Sequence, residues 1–216
     1  PDKAERIMAE ARQESREQVQ VAQRPPVWVP QSGPQMEAYN STADIIGYGG
    51  EAGGGKTDLL IGLAGTRHHR AIIFRREFPR LEGIEARSRE VFNAAGTDRL
   101  RDHYNESLHR WELASGATVR FAAIQYETDK ANFQGRPYDF MGFDEVTEFT
   151  ESQVRFVTAW NRTTNPDQRC RVALTFNPPL NEMGEWVIRY FAPWLDKYHG
   201  RPAKDGELRW YISDKD

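Results

Sequence analysis

One stretch constrains the fold of this chain more than any other. Gly50-Glu51-Ala52-Gly53-Gly54-Gly55-Lys56-Thr57 fits G-x-x-x-x-G-K-[S/T], follows the apolar run Ile45-Ile46-Gly47-Tyr48 and opens into Asp58-Leu59-Leu60-Ile61-Gly62-Leu63-Ala64. Glycines let a backbone curl until successive N–H groups point at one anion, and a following helix adds the positive end of its dipole. The unit therefore reads as strand, phosphate-binding loop and helix. Lys56 would reach the β- and γ-phosphates of a nucleotide, and Thr57 would set its hydroxyl on the accompanying Mg²⁺. A glycine-rich turn that happens to precede a lysine is the bland alternative; the flanking strand and helix count against it.

A phosphate loop needs a metal partner, and Phe140-Met141-Gly142-Phe143-Asp144-Glu145 supplies an apolar strand ending in two carboxylates. Asp144 would hold Mg²⁺, through water, and Glu145 would orient and deprotonate the attacking water. Neighbouring residues on a strand point to opposite faces, so the pair can share one site only where the strand has ended. The sequence puts them at that end. The competing reading, a solvated helix-capping pair, loses ground once the loop is considered with it.

The rest of the chain fits an α/β domain. Arg70-Ala71-Ile72-Ile73-Phe74-Arg75-Arg76 is expected as a second buried strand with a basic end, Ile84 to Asn93 as a helix, and Trp111–Leu113 with Thr118–Phe121 as a hairpin. Glu151 to Arg162 reads as a helix and Arg171 to Phe176 as the last core strand, which together predict a mainly parallel sheet with helices on both faces. The expected division is a helical arm and linker over 1–30, a core over 31–180 and a small lid subdomain over 181–216. Of 216 residues 38% are hydrophobic and 28% charged, with a net charge of −3, so no bulk attraction to nucleic acid is visible and any DNA contact must be focal. No apolar run approaches the ~20 residues of a membrane span, which argues against a membrane role. A single Cys170 excludes an internal disulfide framework and, with no start resembling a signal peptide, points to a reducing cytoplasm. Cys170 itself reads as a small semi-buried filler. His68 and His69 read as an exposed helix end, not as metal ligands.

Several ordered elements together resemble the ATPase domain of the large terminase subunit, the motor that packages DNA into tailed-phage capsids. Gln35 looks like the adenine-reading glutamine, Gly50 to Thr57 like Walker A, and Gln134-Gly135-Arg136-Pro137-Tyr138-Asp139 leading into Asp144-Glu145-Val146-Thr147 like the approach to Walker B. Thr175-Phe176-Asn177-Pro178-Pro179 resembles the coupling motif that senses the γ-phosphate, and Gly184 to Ile188 with Phe191-Ala192-Pro193 the start of the lid. The resemblance covers about Gln31 to Trp194. It implies a P-loop NTPase of the additional-strand, catalytic-glutamate type, with ATP as substrate and Mg²⁺ as cofactor. As partners it implies double-stranded DNA, the portal protein, the small terminase subunit and a homomeric ring, often of five subunits, working in the host cytoplasm at the procapsid portal.

Two departures qualify the resemblance. Many terminases carry an arginine inside the phosphate loop, where this chain has Ala52 beside Glu51, and the family's C-terminal nuclease has no room after Asp216. No nuclease is expected in this chain. An activating guanidinium is still wanted. Arg136 is the first candidate, supplied across a subunit boundary, with Arg75, Arg76 and Arg80 as alternatives. Two other readings stay open: a helicase-like P-loop ATPase, which would need a second recombinase-like domain, and an assembly protein that binds ATP without turnover.

Overall fold

A computed structural model describes residues 28–51, 53–94 and 103–210, with the side chain of Ala94 left aside. The arm expected before Trp28 and the loop residue Ala52 lie outside the described residues. Seven strands form one sheet: β1 (Ile45–Gly49), β2 (Arg70–Arg75), β3 (His103–Asn105), β4 (Arg110–Glu112), β5 (Thr118–Ala123), β6 (Phe140–Phe143) and β7 (Arg171–Phe176). Their spatial order is β1-β7-β6-β2-β5-β4-β3. β1, β7, β6, β2 and β5 run parallel, and β4 and β3 close one edge in antiparallel fashion. The strand that leads into the phosphate loop is thus separated from the strand ending in Asp144 by one further strand, β7, as expected for the additional-strand type.

Helices cover both faces. The helices are α1 (Pro34–Asn40), α2 (Lys56–Thr66), α3 (Leu81–Ala94), α4 (Glu151–Thr158), α5 (Glu185–Tyr190) and α6 (Ala192–Leu195). Strand alternation sorts the core into two layers. Ala71, Ile73, Val119, Phe121, Phe140 and Ala173 pack with Leu59, Leu63, Ile84 and Phe92 of α2 and α3. Ile72, Phe74, Met141, Phe143, Val172 and Leu174 pack with Val154 and Val157 of α4 and with Trp186, Val187 and Phe191. Trp186, Val187 and Phe191 therefore fix α5 and the residue after it directly on the sheet. A methyl group on Gly47 would stand 2.6 Å from the Phe191 ring, so Phe191 rests on a position of β1 that has no room for a side chain.

Several boundaries differ from those expected, for local reasons. α3 begins three residues before Ile84 because Phe78-Pro79-Arg80 forms a single tight turn that leads straight into it. α4 stops at Thr158, short of Arg162, because Asn161 leaves the helical path to bridge Tyr138 and donates from Nδ2 to the Tyr138 carbonyl at 3.0 Å. The hairpin is present as β4 and β5, and β3 extends it by a strand too short to show a pattern. Trp28, part of the expected extended connector, packs on α2 where Gly62 has no side chain to obstruct it.

Candidate nucleotide site

The carboxyl ends of β1, β6, β7 and β2 meet at one edge, and the motif residues gather there. Gly53 and Gly55 adopt φ of 87° and 66°, left-handed values that a side chain would strain, and they curl the loop from β1 into α2. The Lys56 ammonium lies across this loop and donates to the carbonyls of Gly50 (2.9 Å) and Glu51 (2.6 Å). The loop is braced from two sides. The Tyr48 hydroxyl donates to the Gly54 carbonyl at 3.2 Å, and burial pushes that phenol's pKa up.

Gln35 supplies the second brace. It is 3% exposed; its Oε1 accepts from the Gln31 amide at 2.6 Å and its Nε2 donates to the Gly55 carbonyl at 2.9 Å. A Cβ on residue 55 would stand 2.4 Å from that Nε2, so the glycine is needed for the amide's approach as well as for the backbone angle. Both ends of the Gln35 amide are thus bonded within the protein, at the base of the loop.

Asp144 is the hub. It is 2% exposed, and Thr57 donates to its Oδ2 at 3.0 Å while Arg75 reaches the same oxygen at 2.5 Å. Thr175, fully buried on β7, donates to Oδ1 at 2.8 Å. Three strands and the first turn of α2 are tied through one carboxylate. Glu145 departs from the strand with φ of 58°, a left-handed value uncommon outside glycine. That turn lets it stand at the same edge as Asp144, which strand alternation alone would forbid. Its carboxylate lies 3.5 Å from Arg75 Nη1 and 3.6 Å from Arg80 Nη1, and Arg80 also binds Glu148 at 2.5 Å.

The remaining expected residues are placed less centrally. Asn177 follows β7 and is half-buried, with an Oδ1 that has no hydrogen-bond partner. Arg136 is exposed in the turn before β6, so it and Asp144 lie at opposite ends of that strand. It is not among the side chains gathered around Asp144. Glu51 contributes its carbonyl, with its side chain exposed. Cys170 is half-buried, and burial pushes its thiol pKa up, away from the nucleophilic form. His68 is buried against Asp139 rather than exposed. The sequence reading also passed over the role of Arg75 as a direct partner of Asp144 and Glu145. The basic end of β2 was the available signal, but register alone shows which arginine faces the carboxylates.

Among the described residues no group of three His, Cys, Asp or Glu side chains could hold a metal, and no helix is long and apolar enough to cross a membrane. The Thr57 hydroxyl and Asp144 carboxylate nevertheless make the small set of hard oxygens that suits Mg²⁺, which keeps waters and phosphate oxygens as its other ligands.

No protein-family model matches the chain, and no curated protein matches it. Solved structures do. The HK97 bacteriophage large terminase aligns at a TM-score of 0.56 and 11% identity, covering 76% of this chain and 36% of that one. A large terminase from a thermophilic bacteriophage aligns at 0.52 and 16% identity, covering 69% of this chain and 40% of that one. The large terminase ATPase domain of a Thermus phage, P74-26, aligns at 0.50 and 17% identity, covering 77% of this chain and 70% of that one. The chain thus has the fold of large terminase ATPase domains of tailed phages, and its match spans well under half of the first two proteins.

Proposed function

We propose that this chain, with the fold of a terminase ATPase domain, hydrolyses ATP to drive double-stranded DNA into a viral procapsid. The observation that carries the reading is the junction at Asp144, where the threonine of the phosphate loop, the end of the Walker B strand and the first residue of the coupling motif meet on one carboxylate. A chain that only held a nucleotide would have no need to connect Thr175 to the metal-binding aspartate.

In this reading the loop amides of Gly50 to Gly55 and the Lys56 ammonium hold the phosphates, Lys56 turning from the loop carbonyls to the β- and γ-oxygens. Thr57 and Asp144 would hold Mg²⁺, which when bound would offset negative charge on the phosphates. Glu145 accepts a proton from water as its oxygen attacks the γ-phosphorus, the bond to the β–γ bridging oxygen breaks, and ADP and phosphate leave. Arg75 and Arg80 restrict where the Glu145 carboxylate can turn. Arg136, remote from its own Asp144 and exposed, is free to reach a neighbouring subunit's site in a homomeric ring. Thr175 and Asn177 pass the change at the γ-phosphate to the lid through β7. The portal, the small terminase subunit and action at the procapsid in the host cytoplasm belong to the same proposal.

Glu145→Gln tests it directly. Turnover of Mg-ATP should fall by about 10²–10⁴-fold while ATP binding persists. If the wild-type chain binds ATP with no turnover above that of E145Q, the protein is a binder and the motor reading fails. Turnover per subunit should also rise with protein concentration and drop in Arg136→Ala; a rate insensitive to both removes Arg136 from its role.

A further inference from the structure

A second concave site lies at the other end of the sheet. A cavity of about 310 Å³ is lined by Arg67, Arg169 and Arg171, together with Tyr39, Ser41 and Asp167. Arg67 follows α2, whose 11 residues set it about 16 Å from the phosphate loop along the helix axis. Arg171 opens β7 at its amino end, whereas Thr175 of the same strand serves Asp144. The cavity is therefore separate from the nucleotide site and touches none of its residues.

Three guanidiniums share this cavity with a single lining carboxylate, Asp167. Arg171 is only 6% exposed, and a buried charge is costly unless it is paired. Its terminal nitrogens donate to the carbonyls of Tyr39 (3.3 Å) and Ser41, which hold the chain leaving α1, but its Nε–H has no acceptor. Burial and the nearby Arg169 and Arg67 charges push its pKa down to about 10. Arg169 donates to the carbonyls of Ser41 (3.4 Å) and Thr42 and pairs with Asp44 at 3.0 Å, a carboxylate that is 84% exposed, while Arg67 lies over the Tyr39 ring at 4.5 Å and reaches Asn40 Oδ1 at 3.5 Å. His68 lines the same wall facing Asp139, and burial lowers its pKa, which disfavours a fourth positive charge there. A carbonyl clamp on the chain after α1 explains the terminal nitrogens of Arg171 and of Arg169. It leaves the buried Arg171 Nε–H without an acceptor and does not explain why Arg67 lies on the same cavity.

We propose that this cavity binds a phosphate group, either free phosphate or the backbone phosphate of a nucleic acid strand. Guanidinium forks match phosphate oxygens in charge and geometry, and an anion between Arg67, Arg169 and Arg171 relieves the repulsion that the fold builds there. The cavity stands near the lower end of the ~300–1,000 Å³ typical of ligand pockets, enough for a phosphate with the ester group attached to it.

The test uses the whole chain carrying Lys56→Ala, so that the phosphate loop does not contribute. Inorganic phosphate, titrated against chloride at matched ionic strength, should raise the thermal midpoint and saturate. Adding Arg67→Gln and Arg169→Gln should weaken the apparent affinity at least tenfold; Arg171 is left intact because it is the buried one of the two arginines that hold the chain after α1. No phosphate-specific rise in K56A, or an equal rise with the arginines replaced, overturns the proposal. A fluorescent 20-base-pair duplex distinguishes the two sources. Duplex binding that phosphate competes away and that R67Q/R169Q weakens tenfold assigns the site to backbone phosphate, and phosphate binding without such competition assigns it to the free anion.

Discussion

Replacing Thr175 by Val removes one hydroxyl from the interior and changes almost nothing in shape. The hydroxyl donates to Asp144 Oδ1 at 2.8 Å, and at 0% exposure no water can take its place. Oδ2 keeps its two donors, Thr57 and Arg75, but Oδ1 loses the donor described for it. Hydrogen bonds to charged groups contribute about 1.5–3 kcal/mol, and leaving such an acceptor buried costs a similar amount. A loss of ~2 kcal/mol is therefore expected, and with a urea m-value of ~2 kcal/mol/M the unfolding midpoint should fall by about 1 M. Thr175→Ser, which keeps the oxygen, should lose much less. In an Asp144→Ala background the same Thr175→Val change should cost under ~0.5 kcal/mol, because the acceptor is gone, giving a coupling energy of ~1.5 kcal/mol or more. If T175V costs as much without Asp144 as with it, the contact does not join β7 to the end of β6, and Thr175 does not couple hydrolysis to movement.

Gly62→Ala should destabilise by about 1–3 kcal/mol, since its Cβ would lie 2.2 Å from the Trp28 ring; in a Trp28→Ala background it should instead stabilise by up to ~1 kcal/mol through helix propensity, as urea unfolding of the four proteins will show. Burial is the largest influence on His68 and outweighs Asp139, so its pKa sits below the ordinary 6.5. The unfolded chain therefore takes up a proton that the folded chain resists as pH drops below about 6.5, and this contribution, complete above that pH, is lost as pH falls toward the folded pKa. His68→Gln should show a smaller fall in urea midpoint between pH 7.5 and 5.5 than wild type. For Gln35→Ala, loss of the bond to Gly55 should weaken ATP, GTP and tripolyphosphate alike, by roughly tenfold for a bond of ~1.4 kcal/mol. A loss confined to ATP in a filter-binding assay would instead support adenine reading.

Much of the site could be read from residue order because its parts are local. The loop from Gly50 to Thr57 needs its glycines within eight residues, and an apolar strand ending in Asp144-Glu145 is a contiguous pattern. The two-layer core was equally accessible, since Ile72 and Ile73 must face opposite sides of a strand whatever lies beyond them. Helix ends were less so. α4 stops where Asn161 finds Tyr138, a partner 23 residues away that no window of sequence contains.

What the sequence by itself determined is the chemistry available: a phosphate loop, a hydroxyl, two carboxylates at a strand end and a surplus of arginines after β2. Those depend on short-range backbone geometry and on side-chain identity. Only the tertiary structure decided which groups meet. Arg75 faces Asp144 because β2 lies beside β6 in parallel register, and Thr175 reaches the same carboxylate because β7 is inserted between β1 and β6. The cluster of Arg67, Arg169 and Arg171 joins the end of one helix to the start of a strand some hundred residues later. Strand order is a long-range choice made by the whole core at once, and a hydrogen bond or a charge cluster between strands exists only after that choice is made.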